Sequence, residues 1–265
     1  MQKIFDVIIA GGGPAGTTAA TLLAQYGHQV LLIEQGRHPR FHIGESMMPF
    51  IEPVMDRLGV DWGEGNLKKS GADFVDEKSQ QHVFFSLSGI YGTYQIERSV
   101  FDEKLFKNAE LNGVETHQQE KVTEVHCNVD RVEVITSQAA YQGRYFIDAT
   151  GRNALMGRKQ KSVNRVRNLG RYALFQHYKL KSSPEVDALF DSGNIKILLV
   201  DIGWIWAIPL TGKRLSVGLV VNGKPMEMQR DELFNQYIEA SPLLSALLKK
   251  SENLNLSLIH ISEPT

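Results

Sequence analysis

A glycine-rich stretch near the start of the chain has the residue types and spacing of a phosphate-binding turn. Its sequence is Gly11-Gly12-Gly13-Pro14-Ala15-Gly16, in which Gly11, Gly13 and Gly16 satisfy G-x-G-x-x-G. The first glycine of this pattern permits a tight turn, the second lets the backbone approach a pyrophosphate, and the third lets a helix pack closely on a strand. A helix that begins at Pro14 directs N–H groups at the phosphates. The stretch therefore predicts a bound dinucleotide.

The residues around this turn form the elements that must position it. Ile4–Ala10 is a continuous apolar run, as expected of a buried parallel strand, and Val30–Glu34 is a second one. Between them, apolar residues recur at helical spacing as far as Gly27, a residue type that commonly ends a helix. Glu34 closes the second strand, where a carboxylate can bind ribose hydroxyls. Residues 1–34 are thus predicted to form a strand–helix–strand unit of the Rossmann type.

A second stretch, Trp204-Ile205-Trp206-Ala207-Ile208-Pro209, places two indole rings two residues apart. On a strand such residues share a face, so Trp204 and Trp206 would present both rings to one side. Taken alone, this pattern is more often part of a β core than the wall of a site. Together with the glycine-rich turn, it favours a wall that faces a bound molecule.

Composition narrows the class of protein. The chain has 265 residues, 42% of them apolar, and 29 Lys and Arg balance 30 Asp and Glu. This balance argues against a general nucleic-acid binder. The single cysteine, Cys127, excludes an intrachain disulfide and a cysteine metal cluster. Because no apolar run reaches the length of a membrane span and no signal peptide is recognisable, we expect a cytoplasmic protein with no membrane span, no metal site and no nucleic-acid partner.

The remaining sequence alternates between helical and strand-like segments. We predict a short helix over residues 49–58, strand-like segments over 72–96, a helix over 101–111 and β segments over 114–149. Several strands follow over 171–222, including 195–200, 204–209 and 215–221, and then two helices over 231–240 and 243–250. The chain is thus expected to pass from an α/β domain into a β-sheet, to return, and to enter the sheet again.

Three further stretches carry a family resemblance: Phe41-His42-Ile43-Gly44-Glu45-Ser46, Gln95-Ile96-Glu97-Arg98 and Asp148-Ala149-Thr150-Gly151-Arg152. With the glycine-rich turn they resemble the FAD-dependent oxidoreductases of the p-hydroxybenzoate hydroxylase-like fold. Within that group, F-H-I-G-E-S and W-x-W-x-I-P resemble the flavin-dependent halogenases, nearer to the phenol- and pyrrole-type members than to the tryptophan enzymes. The resemblance covers residues 1–222 in the same order.

This resemblance implies an α/β fold in which a Rossmann-like FAD-binding domain carries an inserted mixed or antiparallel β-sheet substrate domain. The expected ranges are 1–74 and 97–165 for the FAD-binding domain, 75–96 and 166–225 for the β-sheet domain, and 226–255 for the start of a helical region. Residues 256–265 back-translate without a mismatch to the transposase mosaic end and adapter of tagmentation sequencing libraries. We expect these last residues to be a translated adapter and the native frame to be truncated near residue 255.

The resemblance also assigns FAD to the glycine-rich turn. Arg98 would reach the flavin or its pyrophosphate as a bidentate donor, and Glu45 and Ser46 would lie near the flavin. The expected cofactor-binding residues are Gly11, Gly13, Pro14, Ala15, Gly16, Glu34, Arg37, Gly44, Glu45, Ser46, Arg98, Asp148, Gly151 and Arg152.

In such enzymes, reduced FAD and O2 convert a halide ion, the co-substrate, into hypohalous acid. A buried lysine holds or captures this oxidant and delivers it to an electron-rich small molecule, either free or tethered to a carrier protein. Lys69 is the candidate here, with Lys68 as the alternative register, and burial would lower its pKa and expose a usable amine. Trp204 and Trp206 complete the expected catalytic set by keeping the substrate apart from the flavin. A separate flavin reductase is expected to supply electrons, because no nicotinamide domain is visible.

Two other interpretations remain open. The first is an FAD monooxygenase or a geranylgeranyl-reductase-like enzyme, which would not need Lys69. The second is an inactive flavin-binding fragment. In the family, a second flavin motif with a Gly-Asp segment and a halide-binding loop normally follow the sheet, and neither occurs before residue 255.

Overall fold

The computed structural model describes residues 3–87, 89, 91–164, 171–222, 230–249, 251–254 and 261–262. The chain divides into two compact units. Unit 1 comprises Met1–Ile43, Val54–Asp61 and Arg98–Asn164, and unit 2 comprises Gly44–Pro53, Trp62–Glu97 and Arg165–Thr265. Parts of the predicted helical region and of the predicted adapter lie outside the described residues, namely 226–229, 250 and 255 of the former and 256–260 and 263–265 of the latter.

The described strands, in chain order, are β1 (Ile4–Ala10), β2 (Val30–Glu34), β3 (Leu67–Lys68), β4 (Gly71–Asp76), β5 (Gln81–Ser86), β6 (Tyr94–Gln95), β7 (Glu115–Gln118), β8 (Val122–Cys127), β9 (Val132–Thr136), β10 (Ala140–Asp148), β11 (Arg171–Lys179), β12 (Ile195–Val200), β13 (Gly203–Leu210), β14 (Arg214–Asn222), β15 (Glu252–Asn253) and β16 (Ile261–Ser262). The described helices are α1 (Pro14–Gln25), α2 (Glu52–Leu58), α3 (Arg98–Leu111), α4 (Leu155–Lys159), α5 (Pro184–Ser192), α6 (Arg230–Ala240) and α7 (Pro242–Leu248).

Unit 1 is built on a six-stranded sheet with the order β7-β2-β1-β10-β9-β8. Strand β1 lies between β2 and β10 and is parallel to both. Helix α1 connects β1 to β2, as the sequence predicts, and its small residues pack against the sheet together with α3. Predicted apolar residues of α3, among them Phe101, Leu105 and Phe106, are buried, although the helix begins at Arg98, three residues before the predicted start.

Unit 2 is built on a larger, mixed sheet with the order β15-β11-β14-β13-β12-β4-β5, and β16 also pairs with β11. Strands β4 and β12 run parallel, whereas the other pairs along this path are antiparallel. Residues 62–74 belong to this unit, because β4 is one of its strands. Apolar side chains of β11, β13 and β14 pack with α5, α6 and α7 in one buried core. The predicted α/β fold class with a second, mixed sheet is confirmed.

Helix α5 lies among the predicted strands of residues 171–222 and was not itself predicted. Ser183 caps its first turn by accepting a hydrogen bond from the backbone N–H of Val186 at 3.3 Å, and Pro184 occupies the first helical position. Gly193, with φ of +63°, ends the helix in the left-handed conformation. These are ordinary start and stop signals, so the helix follows from local sequence even though strands surround it.

Candidate functional site

The glycine-rich turn lies at the carboxyl end of β1, and its glycines differ in what they permit. Gly11 has φ of +107°, and a Cβ there would overlap the carbonyl oxygen of Ala149. A Cβ on Gly16 would overlap the carbonyl oxygen of Gly11, so close packing of α1 on β1 requires glycine. At Gly13 the backbone is extended with φ of −79°, and a Cβ there would have Nη2 of Arg40 as its nearest neighbour, at 3.7 Å. Gly13 therefore borders open space, where a ligand can approach the backbone.

Glu34, at the end of the neighbouring strand β2, holds the glycine-rich turn in place. Its buried carboxylate accepts hydrogen bonds from the N–H groups of Gly12 and Gly36, each at 2.7 Å. Arg40 places Nη2 3.5 Å from the Oε2 atom of Glu34. The Nε atom of Arg40 is buried and has no hydrogen-bond partner among the described residues. Sequence spacing did not single out Arg40, because its position beside the turn depends on how the loop after β2 folds back.

Asp148 ends β10, the strand on the other side of β1. Its Oδ1 atom accepts hydrogen bonds from N–H and Oγ1 of Thr150, at 3.0 and 2.6 Å, and its Oδ2 atom accepts one from N–H of Met156 at 2.7 Å. The carboxylate thus organises the turn that follows the strand. Gly151 and Arg152 lie in this turn and are exposed. Since β2, β1 and β10 are adjacent and parallel, three predicted segments meet at one edge of the sheet.

Arg98 begins α3, and its guanidinium is directed at its own helix. The Nε and Nη2 atoms donate to the two carboxylate oxygens of Asp102, at 2.8 and 3.0 Å, and Nη1 donates to the carbonyl oxygen of Ile43 at 2.7 Å. Asp102 is fully buried. The Arg98 guanidinium, which was predicted to bind the cofactor in a bidentate manner, therefore binds Asp102 in that way. Together with the bond to Ile43, these contacts use three of its five N–H donors.

The other predicted cofactor residues are distributed over both units. Pro14 and Ala15 form the first turn of α1, where N–H groups lack partners within the helix. Arg37 is exposed in unit 1. Gly44, Glu45 and Ser46 belong to unit 2.

Lys69 is a buried lysine of unit 2. It lies between β3 and β4 and is 4% exposed. Its Nζ atom donates a hydrogen bond to Oγ of Ser46 at 2.6 Å. Burial lowers the pKa of Lys69 to about 8, because the charged form loses its hydration. Lys68, the alternative register, is exposed on β3.

The backbone around Lys69 is held from both sides. The N–H group of Lys69 donates to the carbonyl oxygen of Thr93 at 3.0 Å. The buried Asn194, in the turn after α5, accepts hydrogen bonds from N–H of Ser70 at 3.1 Å and from N–H of Gly71 at 2.8 Å. Sequence reasoning missed Asn194, because it is more than 120 residues away and belongs to no motif.

Trp204 and Trp206 lie on one face of β13, as predicted, but in different surroundings. The Nε1 atom of Trp206 donates to Oγ of Ser216 at 3.2 Å. Its ring lies over Gly218, where any Cβ would overlap it, and it stacks on Phe175 with a centroid distance of 6.4 Å. Trp206 is therefore packed flat against the neighbouring strands.

The ring of Trp204 is instead covered by a cation. The guanidinium carbon of Arg171 lies 5.0 Å from the ring centroid of Trp204, in a cation–π arrangement. Arg171 is held there by a hydrogen bond from Nε to Oδ1 of Asn222 at 3.1 Å. Trp204, unlike Trp206, therefore has a charged group over its ring.

A buried contact between a carboxyl group and an imidazole involves Glu45, the residue that precedes Ser46. The Oε1 atom of Glu45 is 2.8 Å from Nε2 of His177 on β11, and both residues are buried. In the sheet, His177 is the register partner of Ser216, the residue that bonds Trp206. No motif pointed to His177, whose role depends on strand register. Glu45 and Ser46, adjacent in sequence, thus contact the tryptophan-bearing sheet and Lys69 respectively.

Comparisons with known proteins bear on the family to which the chain belongs. Residues 6–160 match the family model described as FAD dependent oxidoreductase. The chain is 31% identical over 266 residues to the tryptophan 2-halogenase of Chondromyces crocatus, covering 94% of this chain and 50% of that protein. It is 26% identical to the 1H-pyrrole-2-carbonyl-[peptidyl-carrier protein] chlorinase of Pseudomonas fluorescens, covering 94% of this chain and 64% of that protein.

The fold is shared with solved structures as well. CmlS, a flavin-dependent halogenase, superposes with a TM-score of 0.86 at 26% identity, covering 99% of this chain and 50% of that protein. The chain thus spans about half the length of the first curated relative it matches. It belongs to the FAD-dependent oxidoreductase family, and the proteins it is similar to include flavin-dependent halogenases. None of its described helices is both long and apolar enough to cross a lipid bilayer.

Proposed function

We propose that the protein is a reduced-FAD- and O2-dependent halogenase that acts on an electron-rich aromatic, phenolic or pyrrolic small molecule. The observation that carries the proposal is Lys69, buried with a lowered pKa in the same unit as the Trp204–Trp206 face. Family membership supplies the cofactor class, and the lysine distinguishes halogenation from oxygen transfer to the substrate.

The residues at the carboxyl ends of β1 and β2 fit the FAD of the family. Gly13 leaves its backbone open, and the first turn of α1 presents N–H groups suited to a pyrophosphate. The buried Nε atom of Arg40, with no partner among the described residues, fits an anionic group above the turn. Glu34 retains acceptor capacity on both carboxylate oxygens for ribose hydroxyls. When bound and reduced, FAD supplies with O2 the oxidising equivalent for a halide ion.

Lys69 acts on the hypohalous acid that results. As an amine, its nitrogen can bond to the halogen while the O–X bond breaks, and the hydroxide takes the displaced proton and leaves as water. The halogen then passes to an aromatic carbon, and the proton lost from that carbon returns the nitrogen to the amine. Burial serves this role, because a pKa of about 8 leaves about a tenth of Lys69 as free amine at pH 7.

The indole rings form a wall rather than a reacting group. Trp206 is fixed by Ser216 and Gly218, so it offers a rigid apolar surface on this face of the sheet. In the proposed function, this surface and Trp204 keep the aromatic substrate apart from the flavin. Electrons come from a separate flavin reductase. The substrate is a small molecule, free or tethered to a carrier protein, and the named substrate of the Pseudomonas fluorescens relative supports the tethered form.

Replacing the two neighbouring lysines in turn tests the proposal. Each variant receives FAD, NADH, a flavin reductase, O2, bromide and a panel of phenols and pyrroles, and products are identified by mass spectrometry. Lys69→Met should abolish brominated product while NADH consumption continues, because flavin oxidation does not need the amine. Lys68→Met, the matched control, should retain product, because Lys68 is exposed. Undiminished bromination by Lys69→Met would overturn the proposal.

A further inference from the structure

Ser46 lies on a backbone segment that is fixed independently of its side chain. Ser46 forms an antiparallel bridge with Gln95, and the N–H group of Ile96 donates to the carbonyl oxygen of Glu45 at 2.7 Å. On the next residue, the N–H group of Met47 donates to the carbonyl oxygen of Tyr94 at 3.1 Å. These bonds leave Ser46 little freedom to move relative to β6.

Lys69 is attached to the other edge of the same segment. Strand β3 pairs with β6 through Leu67 and Gln95, and N–H of Lys69 bonds to the carbonyl oxygen of Thr93. Gln95 therefore has Ser46 on one side and the strand that leads to Lys69 on the other. The 2.6 Å contact between Nζ and Oγ joins two side chains whose backbones are already fixed, so forming it requires the ordering of side chains but not of further backbone.

We propose that Ser46 is the positioning residue of Lys69: its hydroxyl accepts a hydrogen bond from the ammonium group, holds Nζ in one place and stabilises the protonated form. This assigns Ser46 to the lysine rather than to the flavin contact that the family resemblance implies. The inference depends on the proposed function for its catalytic meaning, but the contact itself does not.

Two acidic residues that lie close to Ser46 and Gln95 in sequence, Glu45 and Glu97, have partners other than Lys69. Glu45 pairs with His177, and Glu97 pairs with Arg214, whose Nη1 donates to Oε1 of Glu97 at 2.9 Å. Burial is the cause of the lowered pKa of Lys69. A neutral hydroxyl offsets only part of this penalty, so Ser46 keeps the lysine mostly protonated near neutral pH but still able to release its proton. A carboxylate in the same place would hold the ammonium form far more firmly.

The protonation midpoint of Lys69 can be measured directly. Lysine labelled with ¹³C at Cε and ¹⁵N at Nζ is incorporated into the full chain, and the Lys69 signal is assigned by its loss in Lys69→Met. Its chemical shift is then followed by NMR from pH 6 to pH 11. Ser46→Ala should lower the midpoint by about one pH unit, because the ammonium loses its acceptor while remaining buried. Ser46→Thr, which keeps the hydroxyl, should restore the midpoint.

Ser70→Ala is the matched control. It removes the hydroxyl next to Lys69 in sequence, which bonds to Asn194 at 3.2 Å rather than to Nζ, so the midpoint should stay in place. If Ser46→Ala does not fold, Ser46→Cys replaces the oxygen with a weaker acceptor of similar shape and should also lower the midpoint. A midpoint that is unchanged or higher in these Ser46 variants, or that moves equally in Ser70→Ala, overturns the inference. The measurement needs no turnover, so its failure is distinguishable from failure of the proposed halogenation.

Discussion

Two glycines of the glycine-rich turn should respond differently to the same substitution. At Gly16, an added Cβ would overlap the carbonyl oxygen of Gly11 and approach Cβ of Ala149 to 3.2 Å. At Gly13, the same atom would meet only the end of the Arg40 side chain, at 3.7 Å, with an unstrained backbone. Alanine at Gly16 therefore tests packing, whereas alanine at Gly13 tests access to the backbone.

The magnitudes follow from these surroundings. The clash in Gly16→Ala falls on backbone atoms that cannot move without displacing α1, so it should cost about 1–3 kcal/mol, offset by up to about 1 kcal/mol of helix propensity. With the upper clash cost and the full offset, the net loss is about 2 kcal/mol, which corresponds to a Tm lowered by roughly 4–8 °C. Gly13→Ala should change the stability of the cofactor-free protein by less than about 1 kcal/mol, because the gain in unfolded-state rigidity offsets a poorer helix cap.

The assay combines thermal unfolding without cofactor and FAD binding followed by flavin fluorescence. Gly13→Ala should keep the wild-type Tm but weaken FAD binding by at least about tenfold, equivalent to 1.4 kcal/mol, because its methyl group occupies the space needed by the pyrophosphate. Gly16→Ala should lower the Tm, and its FAD binding should weaken only to the extent that the protein is unfolded. Wild-type FAD affinity in Gly13→Ala would refute the placement of the pyrophosphate over this turn.

Three further outcomes are expected. The pKa of Lys69 is about 8 in the folded protein, whereas its ordinary value is 10.5. As the pH rises, Lys69 therefore loses its proton at a lower pH in the folded protein than in the unfolded chain. Urea unfolding should therefore show the wild type gaining about 2 kcal/mol relative to Lys69→Met between pH 7 and pH 10, and parallel curves would contradict this. Gly218→Ala should lower the free energy of unfolding by about 1–3 kcal/mol and alter tryptophan fluorescence, because its Cβ would overlap Trp206; unchanged fluorescence would count against the packing described. His177→Ala should lower the free energy of unfolding by about 1–3 kcal/mol, because it removes the polar contact of the buried Glu45 carboxyl group, and a double-mutant cycle with Glu45→Gln should show coupling rather than additivity.

Local sequence was sufficient for much of the fold. The strand–helix–strand start depends on two apolar runs, a proline and glycines, whose conformational effects act over a few residues. Helix α5 could also have been predicted, because Ser183, Pro184 and Gly193 are standard boundary residues. The order of the eight-stranded sheet could not, because β4 pairs with β12 across more than 100 residues and no local pattern encodes that partner.

The residues of the candidate site likewise fall into those that the local sequence predicts and those that only the folded structure reveals. Lys69 and the two tryptophans lie in short motifs, so their positions along the chain could be read directly. The i,i+4 spacing of Arg98 and Asp102 likewise held the information that the guanidinium would bond within its own helix. Asn194 and His177 required the folded structure, because their partners come from distant segments brought together by strand pairing.

The halide dependence of product formation is the sharpest test of the proposed halogenase activity. The chain, loaded with FAD and supplied with a flavin reductase, NADH and O2, is incubated with a phenol or pyrrole in the presence and absence of bromide. We expect a product with the bromine isotope pattern that forms only when bromide is present. An oxygenated product that forms equally well without halide, or no brominated product from a chain that retains FAD, would contradict it.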